Sequence, residues 1–511
     1  MLNDDILQII CAELEYGLNS YLTNLSNDEL GCRKALLSLG LTCRSFLNPA
    51  LDVLWKNMRS VEPLLLVLPE TTVVDGKKIL LTPIAPSSWD RLGFYTSRVR
   101  EFSDSDALNA HESVYTFLGQ RQPLFPNLKT LRLLPEMCNS TAFLFFLSST
   151  LQEAYLPRHT LGFAAMAGLR QIHDLGPSLS LLVSRSPGIK SLEFHGHTYS
   201  GLSHSLHSLH ELERLSVTGV ASPFLERNFV KVIASSPRLT HLSLSIPASN
   251  LLDYDNIEQG FPSLREVWVQ GMTADLHSFV TCLPRKLHHL TIVWEKGDDQ
   301  ELPLEEIAAV TRTLVKFSSL KQLDIQRIIS SLRHDFDNPL LWTVFKPLLE
   351  LKELELLSYD GALSLSDQRT AMIACAWPCI RGLSLGAFIW DGDVPSVQSL
   401  AHFAQHCPNL EYLTYPIRLD VSGVTAIPPT LTRHPLRQFT CSVDAAEVRN
   451  PPLVALALHQ IFPILTYATG SEDRWDEVRT VLNSFSFPSS ARSSVSRGGH
   501  VKVCFRLKID F

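Results

Sequence analysis

The nine-residue stretches FPNLKTLRL (125–133), SPRLTHLSL (236–244), FPSLREVWV (261–269) and FSSLKQLDI (317–325) share one pattern of aliphatic and polar positions. Each ends in aliphatic-x-x-aliphatic-x-aliphatic. Because side chains alternate across a strand, the last two aliphatics of each stretch fall on one face. A lone strand cannot bury that face, so we expect successive copies to stack into a parallel sheet over one continuous core.

Copies of this phrase recur along most of the chain at separations of 23 to 38 residues. Between copies, positions such as Leu400, Phe403 and Cys407 have helical spacing, and these helices should end where Pro opens the next phrase. The widest separation, from Leu151 to Ile189, accommodates either a degenerate repeat or a loop. The first aliphatics of the copies are Leu128, Leu151, Ile189, Leu212, Leu239, Leu264, Leu287, Leu320, Leu351, Ile380, Leu410 and Leu436.

Residues 123–465 therefore resemble the leucine-rich-repeat family, whose period is about 20–29 residues. The resemblance implies an α/β solenoid with a parallel sheet on its concave face and helices on its convex face. The phrase lacks the Asn or Cys that follows the third aliphatic in strict repeats, so we expect longer helices and less regular curvature. The alternative is an ordinary α/β domain that contains several L-x-L strands.

The first 58 residues have a different, helical pattern. Apolar residues at helical spacing predict one helix over residues 2–14 and a second over residues 35–46. A third helix is expected to begin at Asn48-Pro49, because Asn is a good helix cap and Pro suits the first helical position.

These segments read LNDDILQII, ALLSLGLTCRSF and NPALDVLW, and together they resemble an F-box. In that family the three helices dock the Skp-type adaptor of a cullin-RING ubiquitin ligase. The sequence departs from the family at Asn3, where Pro is usual, and in a longer polar loop before the second helix. The alternative is that these helices only cap the solenoid. The resemblance implies an adaptor-binding set of Leu2, Ile6, Leu7, Ile10, Leu36, Leu39, Cys43, Arg44, Phe46 and Trp55.

An F-box followed by leucine-rich repeats is itself an arrangement of fungal receptor families. It implies a substrate-recognition subunit of an SCF-type (Skp–cullin–F-box) ligase, which is not itself an enzyme, needs no cofactor and binds a protein substrate. The alternative is a leucine-rich-repeat scaffold with a degenerate F-box and no ligase role. We expect an F-box-like module over 1–60, a linker and solenoid cap over 61–122, the solenoid over 123–470, and a helix, a mobile Ser-rich segment and a terminal strand over 471–511.

Residues that alternate with the inward aliphatics should face outward from the sheet and contact a substrate. Trp268 either anchors such an interface or packs against a neighbouring repeat. Acidic residues in the middle of this face favour a basic ligand segment. The predicted substrate-binding residues are Arg132, Arg214, His241, Glu266, Trp268, His289, Asp324, Glu353, Glu355 and Tyr412.

The composition narrows the class of protein further. The net charge of −7 and the isoelectric point near 6.2 do not fit the basic surface of a nucleic-acid binder. The ten cysteines form no paired CxxC motifs, and the chain does not open with a secretory leader, which together suggest a cytoplasmic or nuclear protein with reduced thiols. No apolar run approaches the ~18–20 residues that a bilayer crossing needs.

Three motifs resemble catalytic or metal sites but have simpler interpretations. The string GLSLG places Ser384 inside a strand phrase, where a nucleophile elbow would need a strand, a sharp turn and a helix. The histidines between His195 and His210 lack accompanying Cys pairs or carboxylates and are expected at a solvated surface. Cys375 and Cys379 have no second pair and are expected to be buried thiols.

Overall fold

The computed structural model describes residues 4–14, 27–74, 76–103, 112–133, 143–156, 176–195, 201–218, 225–246, 252–255, 257, 260–295, 304–326, 340–361, 363, 365–386, 394–419, 434–442, 448–470 and 474–486. The chain divides into two compact units, Met1–Leu354 and Glu355–Phe511. Leu2, Asn3, the Ser-rich segment and the predicted terminal strand lie outside the described residues.

Three helices open the first unit: α1 (Asp4–Glu13), α2 (Asn27–Thr42) and α3 (Arg44–Lys56). Their small core has Cys11, Leu36 and Ala50 at its centre. The third helix begins earlier than the sequence predicted, because Cys43 is extended and separates it from α2, so Pro49 lies inside α3. Pro49 lies in the second turn and has no N–H to donate to the carbonyl of Ser45, so α3 lacks one backbone hydrogen bond there.

The described part of the first unit contains ten parallel strands and one separate hairpin. Each strand of the parallel sheet pairs with the next in chain order, except that β1 pairs with β4 across the antiparallel β2–β3 hairpin. The strands are β1 (Asn57–Met58), β2 (Thr71–Val74), β3 (Lys77–Leu80), β4 (Glu101–Ser103), β5 (Thr130–Arg132), β6 (Glu153–Leu156), β7 (Ser191–His195), β8 (Arg214–Thr218), β9 (His241–Ser245), β10 (Glu266–Gly271), β11 (His289–Trp294) and β12 (Gln322–Gln326).

A backbone ladder fixes where each strand begins. The N–H groups of Arg265 and Glu266 both donate to the carbonyl oxygen of Thr240, at 2.9 and 3.1 Å. Those of His288 and His289 donate in the same way to the carbonyl oxygen of Arg265, at 2.9 and 3.0 Å. This ladder sets the register of the repeats although the phrase lacks the Asn or Cys of strict repeats.

Helices alternate with the strands of the first unit and are four to eleven residues long, shorter than we expected. Their buried sides are apolar, as in α11, where Leu276, Phe279 and Val280 are all buried. The helices are α4 (Glu62–Val67), α5 (Pro86–Thr96), α6 (Glu112–Leu118), α7 (Phe143–Phe146), α8 (Gly176–Arg185), α9 (Leu202–His207), α10 (Phe229–Ala234), α11 (Thr273–Cys282), α12 (Leu304–Leu314), α13 (Leu340–Phe345) and a 3-10 helix at Lys346–Glu350.

Two features of the first unit resolve open questions of the sequence. Residues 89–102 have apolar residues at the helical spacing of Leu92, Tyr95 and Val99, but they form the end of α5 and then β4, so they contribute a strand to the sheet, with Leu92 and Val99 fully buried. The strands on either side of the wide gap after Leu151, β6 and β7, pair directly with each other.

The second unit contains five strands in parallel chain order: β13 (Leu356–Tyr359), β14 (Gly382–Leu385), β15 (Tyr412–Tyr415), β16 (Gln438–Cys441) and β17 (Tyr467–Thr469). Its helices are α14 (Asp367–Ala376), a 3-10 helix at Val397–Ser399, α15 (Leu400–His406), α16 (Pro451–Ile461) and α17 (Trp475–Ser486). Side-chain caps start two of them: Ser366 Oγ accepts from Arg369 N–H, and Asn450 Oδ1 accepts from Leu453 N–H.

The register of β13 corrects the repeat alignment by three residues. Leu357 pairs with Leu383 of β14, so the phrase begins at Leu354 and not at Leu351 as predicted. Leu351 is buried and lies three residues before the first aliphatic of its phrase, as Phe317 and Trp377 do before Leu320 and Ile380. The alignment from Leu351 has leucine at all three positions, whereas the observed one has Tyr359 at its third position, as the copy from Leu410 has Tyr415. The sequence alone therefore does not choose between the two alignments.

Candidate protein-binding surfaces

The α1–α3 unit exposes large aliphatic side chains although its own core is complete. Along α2, Leu30, Leu37 and Leu41 are separated by seven and four residues and share one face, with Leu41 76% exposed. On α1, Ile6 and Ile9 are also exposed. An exposed apolar row of this kind typically marks a contact surface for another protein.

The predicted adaptor-binding residues divide between this surface and the interior. Leu7 and Leu36 are fully buried, so they build the module and have no surface to offer a partner. Ile6, Ile10, Cys43 and Arg44 are exposed, Leu39, Phe46 and Trp55 are half-buried, and Leu2 lies outside the described residues. The predicted set does not contain the exposed Ile9, Leu30, Leu37 and Leu41, because helical spacing alone does not tell which of two apolar stripes is outward.

Side-chain contacts tie α3 to the first layers of the sheet. The rings of Trp55 and Tyr95 lie 4.6 Å apart between centroids. Arg98 donates to Asn48 Oδ1 at 2.9 Å and also pairs with Asp52. The helical module and the sheet of this unit are therefore joined by packing and hydrogen bonds as well as by the chain.

The outward sheet face of the first unit is built from rows of registered residues. One row comprises Ser103, Arg132, Tyr155, Glu193, Ser216, Ser243, Trp268, Thr291 and Asp324 on β4 to β12. The row before it comprises Glu101, Thr130, Glu153, Ser191, Arg214, His241, Glu266, His289 and Gln322. The predicted residues Arg132, Arg214, His241, Glu266, Trp268, His289 and Asp324 all stand in these rows.

At β5–β8 the charged groups of this face satisfy one another. Glu153 accepts hydrogen bonds from Arg214 Nη2 and from the Tyr155 hydroxyl, both at 3.3 Å. The guanidinium carbon of Arg132 lies 4.5 Å from the centroid of the Tyr155 ring. The two arginines of this part of the face are therefore already held by an aromatic ring and a carboxylate.

At β9–β12 the face has a different character. Trp268 is half-buried, and its registered neighbours Ser243 and Thr291 are small and almost fully buried. Glu266 stands two residues before Trp268 and lies between two histidines. Its oxygens are 3.2 Å from His241 Nε2 and 3.4 Å from His289 Nδ1.

Asp324 closes the row beyond Thr291 and is buried, with Gln326 Nε2 donating to its Oδ2 at 2.5 Å. A side chain this buried offers little surface to a ligand. In the second unit Tyr412 is half-buried on the outward side of β15, as predicted from the repeat.

The prediction that Glu353 and Glu355 face outward from the sheet is wrong. Because β13 begins at Leu356, the outward positions of its strand are Leu356 and Ser358. Glu353 is exposed in the turn before the strand, and the carbonyl of Glu355 accepts the ladder bonds from Arg381 and Gly382. Neither glutamate stands in the outward rows.

The catalytic and metal-like motifs have structural explanations. Ser384 lies within β14, between the buried Leu383 and Leu385. His195 is held by Glu193, at 2.9 Å, and by the Thr218 hydroxyl. Cys375 and Cys379 are exposed, contrary to our expectation of buried thiols.

Two further findings concern the described ranges alone. They contain no group of three or more His, Cys, Asp and Glu side chains arranged to hold a metal ion. No helix within them has the length and apolar character needed to cross a membrane.

The repeated strand–helix units make this chain an α/β leucine-rich-repeat solenoid. No family model and no curated protein matches the sequence. Among solved structures, the chain is similar to an internalin of Listeria monocytogenes, with 14% identity over 77% of this chain and 86% of that one and a TM-score of 0.33. It is also similar to a leucine-rich-repeat protein of Leptospira interrogans, with 12% identity, coverage of 71% and 90%, and a TM-score of 0.35.

Proposed function

We propose that this chain is a non-catalytic substrate-recognition subunit of an SCF-type ubiquitin ligase. In this proposal the α1–α3 module docks a Skp-type adaptor, and the outward sheet face holds a protein substrate. The observation that carries it is the exposed row Leu30, Leu37 and Leu41 on a helix whose opposite side already contributes Leu36 to a core. The resemblance of these helices to an F-box supplies the identity of the partner.

The connection between module and sheet supports the same proposal. A receptor that presents a substrate to a ligase needs a defined geometry between its two binding surfaces. The ring contact of Trp55 with Tyr95 and the hydrogen bond of Arg98 to Asn48 restrain that geometry in the first unit.

The test is a pull-down of the purified chain with a Skp-type adaptor. The variant Leu37→Asp/Leu41→Asp places two charges on the exposed row without touching the core, and we expect it to lose adaptor binding. The matched control is Leu66→Asp/Leu81→Asp, which charges two leucines that are 74% and 67% exposed outside the module. We expect the control to bind like wild type, and both variants to keep the wild-type circular dichroism spectrum.

Equal binding by wild type and by the Leu37→Asp/Leu41→Asp variant would remove the row as the docking surface. A wild-type chain that does not bind the adaptor would overturn the ligase role and favour the second candidate, a leucine-rich-repeat scaffold with a degenerate F-box. The sequence features that favour this candidate are Asn3 in place of the family's Pro and the longer loop before α2.

A further inference from the structure

Two aromatic side chains of the described outward face of the first unit differ in their surroundings. One has a cationic side chain over its ring, and the other has none. Tyr155 and Trp268 stand in the same registered row. The neighbour of Tyr155 on β5 is Arg132, whose guanidinium lies over the ring, whereas the neighbours of Trp268 are Ser243 and Thr291. Trp268 therefore has the same place in the row as Tyr155, but no cationic side chain of the described residues lies over its ring.

The carboxylates repeat in the same way. Glu153, two residues before Tyr155, holds Arg214. Glu266, two residues before Trp268, has only imidazoles beside it, from His241 and His289. Across β9–β12 the two rows contain Glu266 and no Lys or Arg, so no lysine or arginine of these rows compensates its carboxylate.

Part of the Trp268 ring is open to a ligand side chain. The ring is half-buried, and its registered neighbours on both sides are the small residues Ser243 and Thr291. A guanidinium or ammonium group over an indole gains a cation–π interaction, and Trp is the strongest of the aromatic partners.

We propose that the Trp268–Glu266 site binds an arginine or lysine side chain from an extended segment of the protein partner. The cation would lie on the indole ring and pair with the Glu266 carboxylate, as Arg132 and Arg214 do with Tyr155 and Glu153. This inference rests on the sheet face being the substrate-binding surface of the proposed function, and it defines the partner as basic.

The experiment uses the full chain and fluorescein-labelled dodecapeptides of alternating Ser and Arg, with Ser–Lys, Ser–Gln and Ser–Glu counterparts, measured by fluorescence anisotropy. We expect the two basic peptides to bind and the other two not to bind. Trp268→Ala and Glu266→Gln should each weaken binding about tenfold, and Trp268→Phe, which keeps an aromatic ring, should weaken it less.

Two controls separate this site from general attraction to an acidic protein. Glu153→Gln removes the same charge from the same face at a carboxylate that already pairs with Arg214, and Phe94→Ala removes an exposed aromatic side chain from α5, outside the sheet face. Both should bind the basic peptides within about twofold of wild type. Equal weakening by Glu153→Gln and Glu266→Gln would overturn the proposal, as would preferential binding of the Ser–Glu peptide.

The outcome is independent of adaptor binding. A chain that binds the adaptor but not the basic peptides would leave the proposed ligase role intact and remove this inference. A chain that binds the peptides through Trp268 but fails to bind the adaptor would support the inference and overturn the ligase role.

Discussion

Leu36 and Leu37 are neighbours on α2 whose side chains lie on different faces of the helix, about 100° apart. Leu36 is fully buried in the module core, whereas Leu37 is 54% exposed. Both positions belong to apolar stripes at helical spacing, and spacing alone cannot show which stripe is inward. Only the packing of α2 against Cys11 and Ala50 decides it.

This difference gives a prediction for two alanine variants. Leu36→Ala should lower the local free energy of unfolding of the module by about 2–5 kcal/mol, because it leaves a cavity in a small core. Leu37→Ala should change it by no more than about 0.5 kcal/mol, because an exposed side chain loses little packing. Hydrogen exchange of α1–α3, followed by mass spectrometry, measures both, and similar acceleration in the two variants would contradict the assignment.

At the scale of single elements, the sequence predicted which segments form strands more securely than it predicted the register of each strand. The phrases at Leu239, Leu264 and Leu287 became β9, β10 and β11 in the expected register. At β13 the run from Leu351 to Leu357 fits the phrase in two ways, and the buried turn residue decides between them. The short strand β1 carries no aliphatic phrase, so its place in the sheet could not be read from the pattern.

The segment before β16 contains an element whose stability should depend on pH. The His434 side chain is buried, its Nε2 lies 2.9 Å from the Cys407 carbonyl oxygen, and its Nδ1 accepts from Leu436 N–H at 3.3 Å. Burial lowers the pKa of His434 and outweighs the hydrogen bonds to the carbonyls of Cys407 and Phe403, which act in the opposite direction. The ring is therefore neutral, with the proton on Nε2.

Unfolding releases this histidine into water, where it binds a proton below about pH 6.5. The unfolded state then holds more protons than the folded state, so the stability is fully present above that pH and is lost as the pH falls towards the lowered folded pKa. We expect the thermal midpoint of the second unit to decrease as the pH is lowered from 7.5 to 5. The decrease should be smaller in His434→Gln. The control His406→Gln changes an exposed histidine and should keep the wild-type pH profile, and an unchanged slope in His434→Gln would remove His434 as the cause.

At the scale of the whole molecule, each of the two units is an array in which the described strands of the parallel sheet pair with those of adjacent repeats. Within the first unit, β11 is bonded to β10 and β12, and its inward Leu290 is fully buried. In such arrays stability is close to a sum of repeat and nearest-neighbour contributions. A defect in one repeat should therefore be felt most by its two neighbours.

The last prediction uses this property. Leu290→Ala should destabilise the first unit by about 2–5 kcal/mol, because a large buried side chain is lost. Hydrogen exchange should accelerate in β10, β11 and β12 and much less in β4, β5 and β6. The control Gln322→Ala changes a half-buried outward position on β12 and should leave exchange in all these strands close to wild type. Equal acceleration from β4 to β12 in Leu290→Ala would show that the unit unfolds as a single block, and the sheet face would then respond to a partner as one surface.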